Sequence, residues 1–202
     1  MTQSSIPDFE RKRPIVVVSG LPRSGTSMMM RMLEAGGLPP LTDYQRTADD
    51  DNHRGYYEFE RVKKLKEGDT LWLPAAEDKA VKIIAALLPY LPPAYRYRVI
   101  FMRRAMPEIL ASQRRMLVNR GEDPGKFSDE ELATLFEKHL THVYSWMNRQ
   151  TNIERIDVNY NELLERPAAF AALVNRFLDN RLDESKMIQV VDDRLHRQRH
   201  KG

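Results

Sequence analysis

One stretch near the start of the chain constrains the fold more than any other. Residues 15–18 are four consecutive apolar residues, which predict a short buried strand, and Gly20 and Gly25 bracket a tight loop directly after it. Residues 26–33 contain no helix breaker and precede a Gly-Gly pair, so they predict a helix with a glycine stop. A glycine loop that leads into a helix presents backbone N–H groups and the positive end of the helix dipole. The stretch therefore predicts a phosphate-binding site.

The loop departs from the nucleotide-kinase pattern at one position. That pattern, G-x-x-x-x-G-K-[ST], uses its lysine to reach the terminal phosphates. Gly20, Gly25 and Ser27 keep the kinase spacing, but Thr26 stands in the lysine position and the cation lies inside the loop, as Arg23. The missing lysine argues against a nucleotide kinase.

Six consecutive residues of this loop carry a resemblance to a known family. They fit the pattern P-[KR]-[ST]-G-[ST]-[ST] at every position, as Pro22, Arg23, Ser24, Gly25, Thr26 and Ser27. With this run the chain resembles the sulfotransferases that use 3′-phosphoadenosine-5′-phosphosulfate (PAPS), in a compact bacterial form. The resemblance implies that the six residues bind the 5′-phosphosulfate of PAPS, with adenosine 3′,5′-bisphosphate as the product and no metal. Arg23 would stabilise the leaving phosphate.

A second segment suits the other end of the same nucleotide. Arg104 follows a predicted strand and Ser112 lies about a turn and a half into the next helix, so both can face the crevice at the strand end. In the resembled family an arginine and a serine eight residues later bind the 3′-phosphate, and a guanidinium fork can hold phosphate with two parallel bonds. The family's proline usually follows the arginine by two positions, whereas Pro107 follows by three. Arg103 is expected on the other face, in a surface ion pair.

A third segment, residues 158–167, resembles the family's tyrosine-acidic segment after a late strand. The resemblance implies that Tyr160 borders the adenine, and a core tyrosine is an equal alternative. The family's basic glycine loop near the C-terminus is not evident. The basic residues 194–202 could replace it or be disordered.

Sulfuryl transfer also needs a base that takes the proton of the acceptor. Members of the family use either histidine or glutamate, so the resemblance leaves the choice open. We favour Glu58, because its aromatic neighbours would desolvate the carboxylate, with His53 second and Glu60 third. Surface roles for all three carry equal weight. Lys82, inside an apolar strand, would point at the sulfuryl group or extend outward from a sheet edge.

The order of the elements predicts an α/β fold: a three-layer, P-loop-type domain with a mainly parallel central sheet flanked by helices. Further strands are predicted at residues 80–86, 97–102 and 153–158, with a helix running on to Leu88 as the alternative for the first of them. Helices are predicted to begin near Pro107, after a Ser128 capping box and at Pro167, the last of the chain. We expect a flexible lead-in over residues 1–13, one domain over 14–190 and a basic tail over 191–202.

Composition limits the environment and partners. The net charge of +3 is too small to indicate nucleic-acid binding, and the chain has no cysteine for disulfides or thiolate metal sites. The longest apolar stretch has nine residues, against about 20 for a membrane span. The histidine pairs 139/142 and 196/200 lack carboxylate or cysteine partners at metal-ligand spacing. We therefore expect a cytoplasmic protein without a metal or membrane span, acting on a small-molecule acceptor.

Two other readings remain open at this stage. The first is a nucleotide or metabolite kinase, in which Asp157 would help to hold magnesium at a strand end. The second is a non-catalytic nucleotide- or RNA-binding module, suggested by basic clusters that lack interleaved aromatic residues. The sequence does not identify the acceptor or the oligomeric state.

Overall fold

The computed structural model describes residues 13–43, 57–125 and 127–191, and its centre is a sheet of four parallel strands. Across the sheet the strands follow the order β2-β1-β3-β4. The strands are β1 (Ile15–Gly20), β2 (Ala80–Lys82), β3 (Tyr97–Arg103) and β4 (Ile153–Asn159). The parallel sheet confirms the predicted fold class.

Helices connect the strands and cover both faces of the sheet. The α-helices are α1 (Thr26–Ala35), α2 (Leu73–Ala76), α3 (Met106–Asn119), α4 (Asp129–Met147), α5 (Tyr160–Glu165), α6 (Pro167–Phe177) and α7 (Glu184–Gln189). Two 3₁₀ helices, Glu60–Glu67 and Ala85–Tyr90, flank α2 and β2.

The side chains of β1 alternate between two apolar clusters, one on each face of the sheet. Val16 and Val18 join a cluster with α1, α5, α6 and α7. Ile15 and Val17 join a second cluster with α2, α4 and the two 3₁₀ helices. Because β1 is buried on both faces, its run of β-branched residues is continuous rather than alternating with polar ones. The two clusters give the three layers that the sequence predicts.

The strand order places a crevice at the carboxyl end of β1. β1 has β2 on one side and β3 on the other. The chain after β1 continues toward β2 and the chain after β3 continues toward β4, so the two connections diverge at the carboxyl ends of β1 and β3. In open parallel sheets, such a switch point is where ligands bind. Gly20, at the end of β1, pairs in register with Met102 of β3. The loop after β1 therefore emerges beside the residues that follow β3.

Several local predictions are confirmed. α1 starts at Thr26, and Pro107 lies in the first turn of α3. Ser128 and Glu131 form the predicted capping box at the start of α4. The predicted strands at residues 97–102 and 153–158 are present, each one residue longer.

Other local predictions are wrong. The strand predicted over residues 80–86 ends at Lys82, and the chain turns into a 3₁₀ helix from Ala85, because only the first residues pair with β1. The helix at Pro167 is not the last, since Asp183 caps α7 by accepting the Lys186 N–H.

Some predictions fall outside the described residues. These are residues 1–12 of the predicted lead-in, residues 192–202 of the predicted basic tail, and residues 44–56, which include His53. Within the described ranges, no helix combines the length and apolar character that crossing a membrane requires.

Candidate functional site

The glycine loop, residues 20–27, has a backbone that ordinary residues adopt at a cost. Gly20 and Gly25 have φ angles of 148° and 100°, and Arg23 has a φ of 69°. A non-glycine residue in this region stores of order 1–3 kcal/mol, which persists only where the surroundings over-determine it. Gly25 is the N-cap of α1, and the helix has neither a side-chain cap nor an acidic residue in its first turn. The positive end of α1 is therefore not neutralised by its own side chains.

Ser24 lies inside the loop with its hydroxyl buried. The residue is 1% exposed, and its Oγ has no hydrogen-bond partner among the described residues. A Cβ on Gly20 would come within 2.5 Å of this Oγ, so the loop closes tightly around it. A buried hydroxyl without a partner costs about 1–3 kcal/mol, so the loop holds hydrogen-bonding capacity that the fold itself does not use.

Two hydrogen bonds join the glycine loop to the second predicted segment. Arg23 Nε donates to Ser112 Oγ at 2.8 Å. Arg104 Nη1 donates to the backbone carbonyl of Arg23 at 3.1 Å. One nucleotide can contact the glycine loop and the Arg104–Ser112 segment only if the two segments lie at the same end of the sheet. In the structure they do.

Tyr160, the first residue of α5, lies against the same loop. A Cβ on Gly25 would come within 2.2 Å of its ring, and Arg104 Cζ is 4.7 Å from the ring centroid. Tyr160 is 7% exposed, so the loop and the guanidinium enclose most of the ring. These contacts leave little of the Tyr160 ring accessible to an adenine. The predicted role of Tyr160 beside the adenine stays a prediction.

Glu58 and Lys82 meet at the edge of the sheet next to β1. Lys82 Nζ is 3.9 Å from Glu58 Oε1, and Lys63 Nζ is 3.8 Å from Glu58 Oε2. Lys82 pairs in register with Val18, two residues before the end of β1, and its side chain is 11% exposed. The Lys82 side chain is thus largely covered and lies beside Glu58, while its direction toward a sulfuryl group stays a prediction.

The remaining predicted residues separate from this group. Glu60, the third candidate base, is 41% exposed and pairs with Lys63 at 2.6 Å. His53, the second candidate, lies outside the described residues. Arg103 is exposed as expected, but its guanidinium lies 5.8 Å from the Tyr144 ring centroid rather than in an ion pair with a described carboxylate.

Two residues of the site were not anticipated from the sequence. Glu108 accepts from Arg104 Nε at 2.7 Å and from Asn161 Nδ2 at 2.6 Å. The spacing of four residues between Arg104 and Glu108 on a helix start could have indicated the ion pair. Nothing local indicates Asn161, which is 53 residues further along the chain.

Shifted pKa values are found on α4 and at the N-cap of α7. Burial raises the pKa of Tyr144 on α4, and burial together with His142 lowers the pKa of His139. A hydrogen bond from Ser185 is the main cause that lowers the pKa of Asp183 to about 2. Among the described residues, no group of three or more acidic, histidine or cysteine side chains is arranged to hold a metal ion.

Comparison with known proteins adds evidence on the fold. No protein-family model matches the chain, and no curated protein matches its sequence. The structure is similar to the solved sulfotransferase domain from the curacin biosynthetic pathway, with a TM-score of 0.55 and 16% sequence identity. The match covers 90% of this chain and 79% of that domain. At this identity the likeness concerns the architecture alone, and the chain therefore has a sulfotransferase-like α/β fold.

Proposed function

We propose that the chain is a sulfotransferase that moves a sulfuryl group from PAPS to a hydroxyl or amine of a small-molecule acceptor. The observation that carries the proposal is the direct joining of the glycine loop to Arg104 and Ser112 through Arg23. This arrangement offers two anion-binding groups at one end of the sheet, as a nucleotide with phosphates at both 3′ and 5′ positions requires. The sulfotransferase-like fold supports the same conclusion.

The loop and the Arg104–Ser112 pair would divide the nucleotide between them. The loop supplies the helix N-terminus, the Ser24 hydroxyl and the Arg23 guanidinium to the 5′-phosphosulfate. Arg104 and Ser112 receive the 3′-phosphate. Because a hydroxyl can accept and donate at once, Ser112 can keep its bond from Arg23 and still donate to a phosphate oxygen.

Glu58 would act as the base. PAPS supplies an activated sulfuryl group, which forms a new bond to the acceptor oxygen or nitrogen while its bond to the phosphate oxygen breaks. Glu58 takes the proton that the acceptor loses, and Arg23 stabilises the charge that grows on the leaving phosphate. Lys82 and Lys63 lie 3.9 and 3.8 Å from the two oxygens of the Glu58 carboxylate and would help to orient it.

Calorimetry tests the donor site. In EDTA, the protein should bind adenosine 3′,5′-bisphosphate more tightly than adenosine 5′-phosphate. Arg104→Ala should weaken the bisphosphate by about 10- to 150-fold, the range for one charge-assisted bond of about 1.5–3 kcal/mol, and should change the monophosphate much less. Arg103→Ala is the matched control, because that neighbour is exposed and contacts Tyr144 instead.

If Arg104→Ala lowers the affinity for the bisphosphate and for the monophosphate by the same factor, the assignment of Arg104 to the 3′-phosphate is refuted. Tight magnesium-dependent ATP binding with no response to the bisphosphate would favour a kinase. Asp157, the residue that would help to hold magnesium in a kinase, instead pairs with Arg155 at 3.4 Å.

Turnover tests the base. Glu58→Gln should reduce sulfuryl transfer by about 10²- to 10⁴-fold, the usual contribution of a general base, with bisphosphate affinity nearly unchanged. Glu60→Gln, two residues away and more exposed, should have little effect. If Glu58→Gln turns over normally, the role passes to His53.

A further inference from the structure

Arg104 is held by contacts on several sides before any ligand binds. Its Nε donates to Glu108 Oε2 at 2.7 Å and its Nη1 donates to the carbonyl of Arg23 at 3.1 Å. The guanidinium lies over the Tyr160 ring, and the side chain is 9% exposed. A flexible arginine that must be immobilised by its ligand loses side-chain entropy on binding. Arg104 is instead pre-organised by the protein.

Glu108 is itself held in place by a second element. Its Oε1 accepts from Asn161 Nδ2 at 2.6 Å. Glu108 lies in the first turn of α3, whereas Asn161 lies in the first turn of α5. The backbone at Asn161 is fixed in turn, because Asn159 caps α5 by accepting the Asn161 N–H at 2.9 Å. The carboxylate thus links two helix starts through one oxygen and orients Arg104 through the other.

A carboxylate beside a phosphate-binding arginine is unfavourable for anion binding as charge alone. It offsets the positive charge of Arg104, and it would repel a doubly charged phosphate. The presence of Glu108 is explained if the fixed orientation of the Arg104 guanidinium strengthens phosphate binding by more than the offset of its positive charge weakens it. A planar fork forms two parallel bonds to a phosphate only when its plane is set correctly.

We propose that Glu108, anchored by Asn161, is a positioning residue that sets the guanidinium plane of Arg104 for the 3′-phosphate of the donor. The proposal rests on the proposed function. It assigns to Glu108 the selectivity for a 3′-phosphorylated nucleotide over the same nucleotide without that group. Glu108 touches neither the donor nor the acceptor and acts through Arg104.

The test compares the selectivity ratio of variants, defined as the affinity for adenosine 3′,5′-bisphosphate divided by that for adenosine 5′-phosphate. Glu108→Ala should lower this ratio about tenfold, and Asn161→Ala about threefold, with monophosphate affinity nearly constant. The effect of Glu108→Ala should vanish in the Arg104→Ala background, since a residue that acts through Arg104 has nothing left to position. A merely structural role would lower affinity for both nucleotides in both backgrounds.

Glu130→Ala is the matched control, because Glu130 is an exposed acidic residue in the first turn of α4. The Glu130→Ala variant measures the effect of removing a carboxylate from a helix start where that carboxylate does not contact Arg104. If Glu108→Ala does not fold, Glu108→Gln replaces it in the test. The amide NH2 of glutamine takes the place of one carboxylate oxygen and cannot accept, so the bonds from Arg104 and Asn161 to two separate oxygens cannot both be kept. This variant should lower the ratio about threefold.

The outcomes separate the two proposals. An unchanged or increased ratio in Glu108→Ala or Glu108→Gln would overturn the positioning role and leave the sulfotransferase proposal standing. A wild-type protein without preference for the bisphosphate would overturn both. A loss of ratio that persists at full size in the Arg104→Ala background would show that Glu108 does not act through Arg104.

Discussion

Replacing Gly25 by alanine tests how closely the Tyr160 ring packs on the glycine loop. The added Cβ would lie 2.2 Å from Tyr160 Cδ2, more than 1 Å inside ordinary van der Waals contact. The ring cannot move away easily, because it is 7% exposed and Arg104 covers it. We therefore expect Gly25→Ala to carry a steric penalty in addition to backbone strain.

The same backbone angle elsewhere in the chain separates the two contributions. Gly25 and Gly37 both have a φ of 100°, but a Cβ on Gly37 would have nothing within 4 Å. Gly37→Ala should thus lose only the left-handed strain, about 1–2 kcal/mol. Gly25→Ala adds overpacking of about 1–3 kcal/mol, for a total of about 2–5 kcal/mol. For a chain of this length, each kcal/mol lowers Tm by about 2–4 °C.

Urea unfolding followed by far-UV circular dichroism gives the free energy of unfolding of each variant. The reasoning is refuted if the two alanine variants lose the same stability within about 0.5 kcal/mol, the range of error in additivity. In a Tyr160→Ala background the loss caused by Gly25→Ala should fall to that of Gly37→Ala. A full penalty in that background would assign the clash to another group.

Two further predictions concern stability away from the site. Asp78 accepts hydrogen bonds from Arg181 and Arg13, and the first of these is the main cause that lowers its pKa. Because the folded-state pKa is depressed, the stability that Asp78 contributes is present above the unfolded pKa of about 4 and is lost as pH falls below it. The Tm difference between wild type and Asp78→Asn should be constant from about pH 5 to 8 and shrink as the pH falls below about 4, where an undiminished difference would exclude an ionic origin. Ser128→Ala should remove the capping box with Glu131 and lower the free energy of unfolding by about 1 kcal/mol in urea titrations, without changing nucleotide affinity.

Local chemistry made the first strand, the glycine loop and α1 predictable. The apolar run, the two glycines and the uninterrupted helix lie within 22 residues and need no information from elsewhere in the chain. The strand at residues 80–86 was over-extended because its end is set by pairing with β1, which propensity does not report. The six-residue α7 was missed because a helix this short has little apolar periodicity.

The candidate site was predictable where a spacing carried the information. Arg104 and Ser112 are eight residues apart, and the strand-to-helix reading alone placed both at the crevice. The Glu108–Asn161 contact depends on where α5 meets α3, which is a property of tertiary packing. For the same reason the sequence did not show that Tyr160 would pack against Gly25.

Two of the hydrogen bonds that Arg23 makes span 81 and 89 residues of sequence. No contiguous fragment shorter than these spans contains both partners, so the proposed nucleotide site forms only once the strands from β1 to β3 and the start of α3 have assembled. A nucleotide bound at this proposed site would oppose global unfolding rather than local fraying, and at 100 times its Kd would add about 2.7 kcal/mol to the stability of the fold. Nucleotide binding at the proposed site would therefore increase the resistance of the fold to heat and to proteolysis.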